Sequence, residues 1–286
     1  MDDQVDSMKV NKKVCVLGVC ESMYTRMVVK YLVDAKVSFD LILVKPKVSG
    51  PNLPSFIKKC NLLINLLYSG NFIALSKLDY YPYLLILRML RYKRFNNFND
   101  LMKPFLSVDL KKYVKCTVPD VNHVSLYGVL QEENYDIGLF AGVGIVHYRI
   151  IEAFTGFCLN AHPAPLPDCR GGGAIQFTLY KDLQPAASVH YATKEIDAGG
   201  ILLISEIQVL PNDTLNSLAD RVTIHAAEKL VEVAIMILSG RNMKELPNVG
   251  KLNYWKDCNR RIQKIADLKL TELRKKSDQN LRRWPN

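Results

Sequence analysis

Short apolar runs, each too brief for a helix of ordinary length, recur along this chain with helix-patterned stretches between them. Lys12 to Gly18 reads KKVCVLG, Phe39 to Val44 reads FDLILV, and Tyr135 to Val143 reads YDIGLFAGV. Such runs are continuous rather than alternating, which is what strands covered by helices on both faces require. Lys115 to Val118 supplies a short third strand. Gly156 to Leu159 and Ala187 to Thr193 supply two more, and Ile201 to Leu210 supplies an edge strand closed by Pro211. Between them, Ser22 is placed to cap a helix carrying Met23, Met27, Val28, Tyr31 and Leu32 on one side. Asn122 or Ser125 starts a helix through Leu126, Val129 and Leu130. Thr214 caps a long helix whose Leu218, Val222, Ala226, Leu230, Val233 and Ile237 are spaced to face a sheet. The class that follows is α/β, a mostly parallel, helix-covered open sheet over residues 12–239.

The chain has 286 residues, 49% of them hydrophobic, which is ample for a core. No apolar run of about 18 residues predicts a membrane span. The first residues, MDDQVDSMKVNKK, lack the apolar centre of a secretory signal, so a cytoplasmic location is expected. The seven cysteines are scattered and odd in number, which fits reduced, packed thiols. No C-x-x-C or H-E-x-x-H spacing appears, and no metal is expected. The turn Gly18-Val19-Cys20-Glu21-Ser22 has a single glycine and an acid, a poor cradle for phosphate, so no dinucleotide site is expected.

The chain divides on composition into a main unit at 1–240, with a helical insertion at about 51–112, and a short basic extension at 241–286. Within the insertion, YYPYLLIL runs into Arg88, Arg91, Lys93 and Arg94. That pattern reads as a lid packed on the sheet or on the twin subunit of a homodimer, with a membrane-surface helix as the other reading. The net charge is +10, and residues 251–286 carry eleven Lys or Arg against four acids. This tail reads as a solvated helix with a frayed end, RNA or an anionic membrane being its other potential partners. Deletion after Gly250 is accordingly expected to leave a folded domain.

The chemistry gathers in residues 157–201. Asn160 and His162 stand at i and i+2 at the end of a strand and share one face, and Pro163 stops the ladder. The glycine turn Gly171-Gly172-Gly173 follows, and the next strand empties into Glu195, Ile196, Asp197, Ala198, Gly199 and Gly200. A carboxamide, an imidazole and a carboxylate drawn together suit acyl transfer. His190 reads as a packed strand histidine, and His123, His147 and His225 as structural. Arg170 either meets a ligand or shapes its loop. Cys169 would need a base and a lowered pKa to act as a nucleophile.

The pattern Asn-x-His-Pro, then Leu-Pro-x-x-Arg-Gly, then Val-His-Tyr and Asp-x-Gly, resembles the folate-dependent formyltransferases. It covers roughly residues 10–240 and is strongest over 135–211. The resemblance implies a Rossmann-like fold, with 1–240 as the catalytic domain, and 10-formyltetrahydrofolate as formyl donor without a metal. It implies Asn160, His162 and Asp197 as the catalytic set. It places Ala141, Gly142, Val143, Ile145, Leu166, Arg170, Gly171 and Ile196 on the donor. Many members carry an arginine where Ile145 stands. The expected acceptor is a small-molecule primary amine, the amino group of a nucleotide-linked sugar. This choice follows from an extension too short for the barrel-like domain of the initiator-tRNA branch, and from a first turn unlike that of the phosphoribosyl-binding branch. A methionyl-tRNA or other RNA-linked amine, water as acceptor (a deformylase), and a binding protein that kept the fold without turnover are the alternatives.

Overall fold

The computed structural model describes residues 12–20, 22–45 and 96–283. These form two compact units, one from 1–44 with 108–286 and the other from 45–107. Of the second, the described part is mainly the helix Asn96–Leu106, which contains Pro104. The expectations for residues 51–95 lie outside the described residues.

In the first unit the strands are β1 (Val14–Val19), β2 (Asp40–Val44), β3 (Val114–Val118), β4 (Ile137–Ala141) and β5 (Phe157–His162), followed by β6 (Arg170–Gly171), β7 (Ala186–Tyr191), β8 (Ile201–Glu206) and β9 (Leu252–Asn253). The helices are α1 (Met23–Asp34), α2 (the Asn96–Leu106 helix just named), α3 (Val124–Glu133), α4 (Tyr148–Ile151), α5 (Ala174–Tyr180), α6 (Leu215–Leu238) and α7 (Arg260–Arg283). Seven strands make one sheet in the order β3-β2-β1-β4-β5-β7-β8. Its first five strands run parallel, and β7 and β8 are antiparallel additions with β8 at the edge. The class is the α/β, mostly parallel, helix-covered sheet that the apolar runs call for.

The local signals work as capping chemistry predicts at two ends. Ser22 caps α1, and Thr214 with Ser217 forms a reciprocal box at the start of α6. At α3 the cap is neither Asn122 nor Ser125 but His123, whose Nδ1 accepts from Ser125 N at 3.2 Å. Asn122 works elsewhere: its amide donates to Ile145 O at 3.0 Å and accepts from His147 N at 2.7 Å, bracing the turn after β4. On one face of the sheet, α1 and α6 pack on each other, and α6 lies along β5 and β7. On the other, Leu126, Leu130, Tyr135 and Phe154 cover Cys15, Leu17, Ile42 and Val44. Thr25 is fully buried where α1 begins; its hydroxyl accepts from Val19 N and donates to Ala141 O, both at 3.0 Å. It thereby ties the C-terminal ends of β1 and β4, the rim at which open α/β sheets bind ligands.

The C-terminal residues are packed. Ala266 and Leu270 of α7, one helical turn apart on one face, are buried against Ile175 and Leu179 of α5 and Leu218 and Val222 of α6. Cys258 joins Ala164, Cys169 and Phe177 in a second cluster. The two-residue β9 pairs with β6, directly behind the glycine turn. Deletion after Gly250 therefore strips the cover from α5 as well as the partner of β6, and would not leave the fold untouched. Leu270→Ala is expected to lower the free energy of unfolding by about 2 to 4 kcal/mol in urea melts, whereas a loosely attached extension would give no change.

Candidate active site

Asn160 and His162 share a face of β5, and the antiparallel register sets Asn160 opposite His190 of β7 and His162 opposite Ser188. Ser188 is fully buried and fixes the loop after β5, accepting from Leu166 N at 3.0 Å and donating to Ala164 O at 2.8 Å. Asp197 enters from the loop between β7 and β8 on a left-handed backbone, φ 48°. Aspartate tolerates that conformation better than most residues, and such backbone concentrates at functional loops.

The Asp197 carboxylate is the hub. Oδ2 accepts from Gly171 N at 3.0 Å and lies 3.3 Å from His162 Nδ1. Oδ1 lies 3.5 Å from Asn160 Nδ2 and 3.6 Å from His190 Nε2. The two imidazoles differ in what their outer nitrogens meet. His190 Nδ1 donates to Tyr191 O at 2.8 Å, which leaves Nε2 to accept from Asn160 Nδ2 at 3.2 Å. His162 Nε2 donates to Cys169 O at 2.7 Å, so in a neutral ring Nδ1 faces the carboxylate without a proton. The His162 Nδ1–Asp197 Oδ2 contact is thus one proton short of a hydrogen bond. Gly171 is held at φ 85°, and a Cβ there would lie 2.4 Å from Asn253 O, so only glycine presents its N–H to Asp197 from this position.

A cavity of about 180 Å³ opens beside this cluster. Its walls are apolar, with Phe140, Ile145, Val146, Ile151, Ala192 and Ile196, and its polar end is Asn160, His190 and Asp197. Gly144, Thr193, Lys194 and Glu195 complete the lining. Of the residues expected on a donor, Ile145 (66% exposed) and Ile196 line this cavity. Ala141 is buried at the end of β4, Val143 packs on the core, and Gly142 is exposed at φ 80° in the same turn. Leu166 is buried with its N–H on Ser188. Arg170 works as a clamp between loops: Nη2 and Nε donate to Ile196 O at 2.8 and 3.3 Å, and Nη1 donates to Gly250 O at 2.7 Å. Cys169 is buried, burial pushes its thiol pKa up, and its carbonyl rather than its sulfur serves the site.

His190 is the residue that the sequence reading set aside as structural and the structure brings in. Its signal was its place in Val-His-Tyr; what was missing was the antiparallel register that faces it to Asn160. His162 is brought to Asp197 but sits behind it, only 6% exposed and outside the cavity lining.

Residues 119–234, which hold Asn160, His162, His190 and Asp197, match the model of the formyl transferase family. A chloroplastic phosphoribosylglycinamide formyltransferase of Arabidopsis thaliana is 34% identical over 124 residues, 41% of this chain and 42% of that protein. A methionyl-tRNA formyltransferase of Bacillus thuringiensis is 26% identical over 142 residues, 49% of this chain and 45% of that protein. The chain thus spans less than half the length of these curated relatives. Among solved structures, a sugar N-formyltransferase from a Shewanella species has a similar fold, with TM-score 0.54 at 15% identity over 91% of this chain and 87% of that one.

The cluster's electrostatics are set by burial against pairing. For His162, burial outweighs the attraction of Asp197 and the Cys169 carbonyl, and its pKa falls below the ordinary 6.5, opposite to the rise that the carboxylate alone would cause. For Asp197, burial pushes up, but the nearby His190 and His162 rings and the Gly171 N–H together pull it down to about 2. It is ionised at neutral pH. Among the described residues no group of three His, Cys, Asp or Glu side chains could hold a metal ion.

Both shifts are downward, so the linkage has one sign. The stability contributed by neutral His162 is fully present above its unfolded value of 6.5 and is lost as pH falls through the lower folded value. The Asp197 contribution is present above 3.8 and is lost as pH falls toward about 2. Denaturant melts between roughly pH 4 and 8 should show stability declining below neutrality in the wild type. His162→Gln should flatten the upper part of that decline.

Proposed function

We infer that the chain transfers a formyl group from 10-formyltetrahydrofolate to a primary amine, the amino group of a nucleotide-linked sugar. The observation that carries this reading is the meeting of Asn160, His190 and Asp197 at the polar end of an apolar cavity, with His162 directly behind Asp197. The apolar walls suit one edge of a flat heterocycle, and the polar end suits a formyl group projecting from it. The cavity is small beside the several hundred Å³ of a whole drug-sized site, so it takes the reacting end of the donor and leaves the tail outside. The sugar acceptor is supported by the fold similarity to a sugar N-formyltransferase.

The donor supplies a formyl carbon bound to nitrogen: attack by a neutral amine forms one C–N bond, breaks another, and passes a proton from the amine to the leaving nitrogen. Asn160 Nδ2 stands ready to hold the charge that grows on the formyl oxygen. One of its N–H groups is engaged by His190, and the other is held only at 3.5 Å by Asp197. Such a preorganised donor is worth about 3 to 4 kcal/mol of barrier. Asp197 receives the amine proton, and the unprotonated Nδ1 of His162 behind it shares that proton until it is returned to the leaving nitrogen. His190, with its lone pair on Asn160, keeps the carboxamide turned the right way.

Incubation with 10-formyltetrahydrofolate and a panel of amino-sugar nucleotides, followed by folate absorbance, tests the reading directly. Asn160→Ala, His162→Ala and Asp197→Ala are each expected to lower turnover about a hundredfold or more with the circular dichroism unchanged. Wild-type rates in these variants would refute the assignment. His190→Ala should also lower turnover, by about ten- to a hundredfold, whereas His225→Ala, on the far helix α6, should not.

A further inference from the structure

Part of what holds the Asp197 loop in place lies beyond the family-matched stretch, which ends at residue 234. The Asn248 carboxamide donates one N–H to Asp197 O at 2.9 Å and the other to Gly199 O at 2.7 Å. It therefore holds the carbonyl of the left-handed residue itself and, across Ala198, that of Gly199. Asn248 Oδ1 is buried without a protein partner among the described residues, so its two donations are what the side chain contributes. Two residues on, Gly250 O accepts from Arg170, whose other nitrogens hold Ile196 O, the carbonyl just before Asp197. A Cβ at Gly250 would fall 2.1 Å from Pro167 O, so the strap lies directly against the loop after β5. Asn253 completes the frame. Its carbonyl accepts from Gly172 N at 3.1 Å and its amide donates to Arg170 O at 3.2 Å, fixing the turn whose Gly171 N–H reaches Asp197 Oδ2. Leu246 exchanges two backbone hydrogen bonds with Ile201, at 2.8 and 2.9 Å, and so begins the strap on the edge of β8.

We propose that residues 248–253 form a strap that is a working part of the site, and that Asn248 is a positioning residue for Asp197. A left-handed aspartate in a loop has other conformations close in energy. Two donors from one rigid amide, on the carbonyls either side of Ala198, remove those alternatives. The groups facing the carboxylate are then met at fixed distance: Asn160 and His162 from β5, His190 from β7 and the Gly171 N–H. Asn248 touches backbone alone in this arrangement and acts through Asp197. The catalytic part of the proposal rests on the formyl-transfer reading; the positioning part does not.

The test uses the full chain with Asn248→Ala, which removes both donors, and Asn248→Ser, which keeps one. The readout is an NMR titration of the His162 ring, which needs no turnover, alongside kcat, KM and Tm. Asn248→Ala should fold, should lower the His162 titration midpoint as the carboxylate drifts from Nδ1, and should lower kcat about ten- to a hundredfold with KM little changed. The serine variant should recover part of both effects. A wild-type midpoint in folded Asn248→Ala overturns the proposal, including when kcat has fallen, because the side chain would then be merely structural. A shifted midpoint in a protein that shows no formyl transfer to any amine tested would uphold the positioning and sink the reaction. If neither variant folds, the wild-type carboxamide decides: its N–H protons should be protected from exchange and scalar-coupled to the carbonyl carbons of Asp197 and Gly199. Rapid exchange without coupling overturns the proposal.

Discussion

A carboxylate taken out of water must be paired or hydrogen-bonded, or it will not stay ionised. Asp197 meets that requirement with the Gly171 N–H and the Asn160 amide, with two imidazoles alongside, and the way the surrounding loops converge follows from it. The glycine turn exists at φ 85° so that Gly171 N can reach Oδ2. The 195–200 loop is clamped by Arg170 and Asn248 because an aspartate on left-handed backbone has to be held there. Three separate segments, around 170, 197 and 250, thus serve a single charge.

The sheet explains where this happens. Five parallel strands end at one rim, and the loop after β4 and the end of β5 open the crevice there. The direction then changes, because β7 returns antiparallel to β5. The register of that antiparallel pair sets His190 of β7 level with Asn160. His190 is therefore opposite the carboxamide, and the cavity has a polar end as well as apolar walls. Thr25, Asn122 and Ser188 fasten the three strand ends by side-chain to backbone bonds, leaving the rim little room to reshape.

The imidazole behind Asp197 also has a consequence for proton handling. Nε2 is committed to Cys169 O, so any second proton on His162 must lie at Nδ1, against the carboxylate. Burial keeps that proton off at neutral pH, while Asp197 makes the place attractive for it. A site built this way can take up and give back a proton without a large rearrangement, as the proposed formyl transfer requires.

Much of this was legible in the residues. Continuous apolar runs give buried strands, helical spacing from Leu218 to Ile237 gives the face of α6, and i, i+2 spacing puts Asn160 and His162 on one side of β5, because these periodicities are properties of the backbone alone. What only the tertiary structure decided was which distant backbone groups meet. His190 became part of the site through strand register. Arg170 became a clamp through the carbonyls of Ile196 and Gly250, and the basic C-terminal stretch became structure through the burial of Ala266 and Leu270 and the pairing of β9 with β6. Those contacts join residues far apart in sequence, and no local pattern records them, since a lone Asn at 248 looks the same whether it meets solvent or holds the Asp197 loop.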